Sequence, residues 1–317
     1  PTILASGIDM LGVASIDEGV DLRQAKIDCD ILVLGAVPVW AIESAVKNDI
    51  SIAIFNNAHL KACEQTFIRT GIKPKVHIKI DTGMNRIGVR ADEAIEFIKD
   101  VQKAQYVNLQ GIFTHLAAAE ELDKTKLQIE KWDSVINNID TKGLILHILN
   151  TVGTICYDVP NSNMRRVGIA LYGLYPDFPP DIDFYKPKLK QLISLKGRIV
   201  NIHTVKDKEG VSYCHTYQAK GDRTIATVPL GYADGIPRLL SNKITGTLNG
   251  VEVPQVGNIT MDQMMFDITG VEACAGDIIT LLDDEKHSID EWAKILHTIN
   301  YELTCRLKVR LPRVYTR

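Results

Sequence analysis

The feature that most constrains this chain is an alternation of two periodicities between residues 1 and 175. Short apolar runs, most of them rich in β-branched residues, occur at Met10–Val13, Ile31–Gly35, Ile50–Phe55, Val76–Asp81, Gly111–Leu116, Ile145–Asn150 and Val167–Leu171. Each run is apolar on both parities, so both of its faces must be covered, as in a strand of a parallel sheet. Between them, Ser15–Lys26, Trp40–Asn48, Ala91–Lys103 and Lys124–Ile139 repeat apolar residues at helical spacing. Asp17 and Asp92 stand near the starts of two of these, where a carboxylate suits the helix dipole. Strand and helix in alternation with short connections build parallel βαβ units.

Such units close in one of two ways. A (β/α)8 TIM-type barrel needs eight strands and the runs supply seven, so a barrel would lack its first βα unit within this chain, which opens Pro1-Thr2-Ile3-Leu4 without Met. A doubly wound open sheet would accept seven, but no G-x-G-x-x-G follows any run, and the dinucleotide-binding version has no support. After Pro176 the texture changes. Asp177-Phe178-Pro179-Pro180-Asp181 reads as a linker, and shorter runs follow at Leu195–His203, Arg223–Leu230, Asn242–Val253 and Met261–Ile268. Asn249-Gly250 is a hairpin signal, and Asp290–Leu296 is the amphipathic helix of this part. The 317 residues exceed the usual span of one core. The expected organisation is therefore a barrel over 1–181 and a C-terminal β-rich domain over 190–317.

Charge and cysteine usage narrow the partners. Lys and Arg total 36 against 39 for Asp and Glu, a net charge of −3 without a block of like charges, which argues against nucleic acid. No apolar stretch reaches the roughly 18 to 20 residues that a membrane helix needs, and no signal peptide opens the chain. The six cysteines are scattered without a C-x-x-C pair, so reduced, mostly buried thiols in a cytoplasmic protein are expected.

In a parallel barrel the chemistry gathers where the strands end. Those ends carry Lys79 and Asp81, with Arg86 just beyond; His115; His147 with Asn150 and Thr151; and Arg166 with Gly168 and Ile169. Each alone fits an ordinary hydrogen-bonded role. Together, two imidazoles, two guanidiniums, an amine and a glycine amide suit a phosphate and a carboxylate.

The segment Val76-His77-Ile78-Lys79-Ile80-Asp81-Thr82-Gly83-Met84-Asn85-Arg86-Ile87-Gly88 resembles a signature of the fold-type III pyridoxal phosphate enzymes, and within them of the alanine racemase family. Further segments agree in order: Thr114-His115; His147 with Asn150-Thr151; Arg166 through Gly173; Val211-Ser212-Tyr213; Gly231 through Gly235; Met261-Asp262-Gln263; Asn300-Tyr301-Glu302; and Leu311-Pro312-Arg313. The resemblance spans essentially the whole chain. It implies pyridoxal 5'-phosphate as cofactor and interconversion of L- and D-alanine, which supplies D-alanine for peptidoglycan. It also implies a homodimer whose active site is shared between subunits.

The resemblance implies roles by position. Tyr213 is similar to the family's catalytic tyrosine, with His115 and Arg86 placed to supply the positive charge or hydrogen bonds a phenol needs to act near neutrality. Arg166, supported by His147, resembles the arginine that hydrogen-bonds the cofactor's ring nitrogen. Asn150, Thr151, Gly168, Ile169 and Tyr301 resemble cofactor-binding positions, most of them around the phosphate. Arg86, Met261 and Asp262 fall near the substrate carboxylate, the latter two on a wall contributed by the partner. Lys79 resembles a lysine that is carbamylated to orient the arginine equivalent to Arg86. Three departures stand out: Thr151 where Ser is usual, Val167 where Pro is usual, and Asn258 where Arg is commoner, which puts an interface contact in question. No Lys-Ala-x-Ala-Tyr-Gly-like segment occurs, so the family's cofactor lysine, which is also its second base, is expected upstream of Pro1.

Three other readings compete. A serine racemase domain of a membrane-anchored, glycopeptide-resistance-type protein would share these motifs, with a smaller polar residue expected in place of Tyr301. A non-catalytic cofactor-binding barrel would lack the β-domain and its tyrosine. A metal-dependent hydrolase would need ligands around Asp81, His115 and His147, where this chain offers Arg, Asn and Thr.

Overall fold

A computed structural model of the chain describes residues 2–307 and 310–316. Two compact units emerge, one comprising residues 1–168 and 177–186, the other residues 169–176 and 187–317.

The first unit follows the alternating periodicity. Its elements run α1 (Thr2–Ala5), β1 (Met10–Val13), α2 (Ile16–Gln24), β2 (Asp30–Ala36), α3 (Ile42–Lys47), β3 (Ser51–Ile54), α4 (Asn57–Thr70) and β4 (Lys75–Asp81). They continue with β5 (Val89–Arg90), α5 (Ala91–Lys103), β6 (Asn108–Phe113), α6 (Leu122–Ile136), β7 (Ile145–His147) and α7 (Thr151–Cys156). All pairings are parallel, in the order β1-β2-β3-β4-β6-β7, with the two-residue β5 attached to β4. Strands added one after another, without a reversal of order, mark the singly wound βα-barrel arrangement; a doubly wound sheet reverses at a switch point.

Local chemistry sets the helix limits. Ser15 caps α2 by accepting from the Glu18 amide, and Asn56 caps α4 by accepting from the His59 amide. The apolar stripe of α5 places Ala94, Phe97, Ile98 and Val101 in the core. In β4 the two faces differ in kind: Val76, Ile78 and Ile80 join the apolar core, whereas His77 and Lys79 occupy the opposite parity and are buried too. That second face carries the site.

Several expectations need correction. Val167–Leu171 is not a strand; Ile169–Tyr172 forms a 3-10 turn. The preceding segment reaches β7 and the loop after it through irregular backbone bonds, Asn163 N and Met164 N to Leu146 O and Arg166 N to Leu149 O, and is not assigned as a strand. The runs at 111–116 and 145–150 are strand only as far as Phe113 and His147, after which the backbone turns to present side chains. The thiols are free, but only Cys63 is buried; Cys214, Cys274 and Cys305 are exposed.

The second unit is an antiparallel sheet in the order β8-β16-β13-β14-β15-β12-β9. Its strands are β8 (Leu195–Arg198), β9 (Asn201–Val205), β12 (Arg223–Val228), β13 (Thr245–Leu248), β14 (Val251–Val256), β15 (Met264–Asp267) and β16 (Ile278–Leu282). A separate ribbon pairs β10 (Gly210–Val211) with β11 (Tyr217–Gln218), and helices α8 (Ile289–Leu296) and α9 (Asn300–Arg306) follow the sheet. Asn249 and Gly250 both take positive φ in the two-residue turn between β13 and β14, as the hairpin signal requires.

One glycine is fixed by close approach. A Cβ on Gly111 would lie 2.5 Å from both His77 Nδ1 and the Ile145 carbonyl oxygen, so the His77 ring occupies the space that a side chain on β6 would fill. Gly111→Ala is expected to destabilise the protein by about 1–3 kcal/mol, because the backbone oxygen cannot move aside. Thermal unfolding checks this, and an unchanged melting temperature contradicts it.

Candidate active site

The strand ends of the first unit converge on Arg166. Its Nη1 donates to His147 Nδ1 and to the His147 carbonyl, each at 2.8 Å. Its Nη2 donates to the Thr114 carbonyl at 2.7 Å, to His115 Nδ1 at 3.1 Å and to the Ile148 carbonyl at 3.2 Å. Five acceptors therefore surround one guanidinium, which has donors only. That fact fixes the imidazoles. His147 and His115 must each offer a lone pair at Nδ1 and carry their proton on Nε2. His147 Nε2 lies 3.0 Å from His77 Nδ1, so it donates there, and His77 in turn carries its proton on Nε2. The His77 Nε2 proton is buried and has no partner among the described residues.

The electrostatics agree with this assignment. Burial first and the Arg166 charge second push His77 down to about 4 and His115 down to about 3, and hold His147 well below the ordinary histidine range. Burial brings Arg166 down to about 10, which leaves it charged at neutrality. Lys79 falls to about 7, through burial and then the charges of Arg166 and Arg86, with Asp81 opposing. Its Nζ sits 4.5 Å from the centroid of Phe113, whose ring stacks on His147 at 4.7 Å. Of the two forms of support expected from His115, positive charge or a hydrogen bond, a neutral imidazole beside a guanidinium leaves the second, through its Nε2 proton.

Other expected residues are placed around this cluster. The Asn150 side chain caps α7 by accepting from the Gly153 amide, and Thr151 Oγ1 accepts from the Gly168 amide at 3.0 Å. The space beside the Gly168 α-carbon is open. Arg86 is exposed on the loop between β4 and β5, without a hydrogen bond or ion pair among the described residues. Asp81 shapes that loop by accepting from the Gly83 and Asn85 amides. Gln128 of α6 was not legible as a site residue. It is buried, accepts from the Ala117 amide, and donates to Thr82 Oγ1 and to the His115 carbonyl, so it pins the loop that carries His115. Its signal was a polar residue on the buried face of an amphipathic helix.

In the second unit Tyr213 lies in the loop between β10 and β11 and is 72% exposed. Met261 is also exposed, and Asp262 pairs with Arg310 at 2.8 Å, which holds Asp234 at 2.7 Å with its Nε. Tyr301 stands in the first turn of α9, and Ile169 is buried in this unit's apolar core. Among the described residues no group of three or more His, Cys, Asp or Glu side chains is arranged to hold a metal ion. Both ring nitrogens of His147 are already engaged, by Arg166 and by His77.

A βα-barrel unit with a partly buried cluster of Arg, Lys and His side chains at its strand ends, together with an antiparallel β unit, is the architecture of a barrel-type cofactor enzyme. The chain belongs to the alanine racemase family: residues 1–176 match "Alanine racemase, N-terminal domain" and residues 192–315 match "Alanine racemase, C-terminal domain". It is 37% identical to an alanine racemase of Nostoc sp., over 99% of this chain and 83% of that protein. With an alanine racemase of Methanococcus maripaludis the identity is 36%, over 98% and 86%. Alanine racemase of Clostridium difficile 630 superposes with a TM-score of 0.92 at 35% identity, covering 99% of this chain and 83% of that one.

Members of this family are pyridoxal phosphate enzymes. The residues present fit that group. Arg166 is a permanent donor locked by five acceptors. Gly168 leaves its flank open, and Thr151, having accepted from Gly168, keeps its own hydroxyl proton to donate.

These protonation states carry a pH consequence. In an unfolded chain the three imidazoles titrate near 6.5. Below that pH the unfolded state binds protons that the folded state refuses until about 4 at His77 and about 3 at His115. Stability is therefore full above about pH 6.5 and declines as the pH falls toward those values. Nitrogen-15 NMR at pH 5.5 is expected to show His77, His115 and His147 neutral with the proton on Nε2; an imidazolium signal from any of them contradicts the assignment.

Proposed function

We propose that this protein interconverts L- and D-alanine, with Tyr213 as the base that exchanges the α-proton on one face of the substrate. The observation that carries the reading is the Arg166 cluster: a guanidinium that keeps its proton at neutrality, set among neutral imidazoles. When bound, pyridoxal phosphate supplies an electron sink that acidifies the α-carbon of an attached amino acid. Arg166 would hold the cofactor's ring nitrogen without protonating it, which would moderate that sink and favour returning a proton to the α-carbon over decarboxylation or transamination. Thr151, Gly168, Ile169 and Tyr301 would hold the phosphate, with open space beside the Gly168 α-carbon to admit it.

The remaining residues bind and orient. Arg86 receives the substrate carboxylate, with Met261 and Asp262 on the wall near it. His115 presents its Nε2 proton, and the phenol of Tyr213 loses or regains its proton against that donor and the charge of Arg86. The family's cofactor lysine has no counterpart within these 317 residues, so the second base is not assigned to them. The active protein is a homodimer whose site draws Tyr213 from one subunit and the Arg166 cluster from the other. The relatives reported above are named for alanine, and nothing in the comparisons favours serine.

Lys79 also fits the carbamate reading. An amine brought down to about 7 is in good part unprotonated at neutrality and can attack carbon dioxide, forming an N–C bond and releasing a proton. The product is an anion facing the charges of Arg166 and Arg86. Labelled bicarbonate is expected to give a carbamate carbon signal that Lys79→Met abolishes; its absence from the wild type refutes the modification.

For the natural polypeptide loaded with cofactor, Tyr213→Phe is expected to lower kcat about 10²- to 10⁴-fold, as for loss of a general acid–base group. Mixing this variant with Arg166→Lys protomers should restore part of the activity if subunits share sites. Racemisation assays with L-alanine and L-serine check the reading, and a tenfold preference for serine overturns the substrate.

A further inference from the structure

The Tyr213 phenol makes no hydrogen bond among the described residues, so its place depends on the backbone that carries it. That backbone is unusual. Ser212, Cys214 and His215 all take positive φ, at 64°, 60° and 44°, and none is glycine. Left-handed conformations in such residues cost energy and persist only where the surroundings dictate them.

The surroundings here are a chain of side-chain amides that ends at Asn258. Asn258 is buried; its Nδ2 donates to the Tyr213 carbonyl at 2.7 Å, while its own carbonyl accepts from Ser212 Oγ at 2.6 Å. The preceding residue, Gly257, has φ of +74°, and a Cβ there would lie 2.6 Å from the Val211 carbonyl oxygen, so the bend presses directly against the loop. Gly257 N donates to Asn242 Oδ1 at 2.6 Å, and Asn242 Nδ2 donates to Thr216 Oγ1 at 3.1 Å on the loop's far side. Buried Gln255 closes the set, donating to the Gly257 carbonyl and accepting from the Asn242 amide.

We infer that Asn258 is a positioning residue for the proton exchange, setting the aim of Tyr213 through its backbone, with Ser212 as the reciprocal half of the brace. The inference rests on the reading of Tyr213 as the base. An exposed tyrosine in a loose loop would sample many placements, and proton transfer demands one within hydrogen-bond reach of the α-carbon's proton. The Asn258 amide has the donor and the reach that this carbonyl needs, which gives the departure from Arg at this position a local purpose.

The test uses the cofactor-loaded natural polypeptide and four variants. Asn258→Leu removes the donor at similar size, Asn258→Gln keeps an amide, Ser212→Ala cuts the brace from the loop side, and Tyr213→Phe reports on the base. Expected for Asn258→Leu is a fall in kcat of about tenfold with KM within about twofold, together with faster amide exchange confined to residues 210–217. Asn258→Gln should recover part of both, and Ser212→Ala should show the same pattern should Asn258→Leu fail to fold. Wild-type kcat and exchange in both Asn258→Leu and Ser212→Ala overturn the inference. So does a loss of kcat that merely tracks faster exchange throughout the second unit and is not relieved in Asn258→Gln. If Tyr213→Phe keeps full turnover, the reading of the base has failed and the positioning role falls with it; if only the Asn258 and Ser212 variants stay active, this inference alone has failed.

Discussion

The first unit depends on one half-buried cation. Arg166 stays charged at neutrality and cannot accept a hydrogen bond, so every hydrogen-bonding partner it has must be an acceptor. Three backbone carbonyls and two imidazole lone pairs meet that demand. The carbonyls belong to Thr114, His147 and Ile148, where β6 and β7 have just ended, so the strand ends and the arginine fix one another. The imidazoles are forced neutral, and the proton order runs from Arg166 through His147 to His77 without a free choice at any step. A charge held this way is a preorganised donor: it need not reorganise when a ligand arrives.

The same cation explains the neighbours that sequence motifs did not explain. Lys79 loses its proton readily because it is buried and because the charges of Arg166 and Arg86 add to that effect. Phe113 covers His147 and Lys79 with a ring, which excludes water without competing for hydrogen bonds. Gly111 is required because His77 must lie over β6. The second unit uses another device. Its exposed tyrosine is carried on a left-handed loop held by amides from Asn242, Gln255 and Asn258, so a polar network does there what a half-buried charge does in the first unit.

Much of this was legible in the sequence for definite reasons. Strands buried on both faces leave β-branched runs, and α5 leaves an unmistakable stripe, so its limits at Ala91 and Lys103 could be read directly. The motif residues Lys79, His115, His147 and Arg166 could be read as a set, and they do meet. Helix α4 was less visible because its buried positions include His59, Cys63 and Thr66 rather than a strong apolar stripe. Strand β16 escaped notice because a single short run, Ile278–Leu282, has no hairpin turn beside it to announce it. Gln128 and Asn258 were not legible as site residues, because a glutamine or asparagine acquires a role only from the groups it happens to face.

What the sequence determined by itself was the alternation of elements, the family, and the inventory of groups able to hold a phosphate and a carboxylate. These follow from periodicity and from short motifs, both of which are local properties of a chain. The tertiary structure decided which of those groups are charged. His115 could be read as a source of charge or of a hydrogen bond, and its Nδ1 lone pair 3.1 Å from a half-buried guanidinium leaves it neutral. Protonation depends on burial and on charges brought near by folding, and the residues that set it here, 114 to 166, are separated along the chain and adjacent only in space.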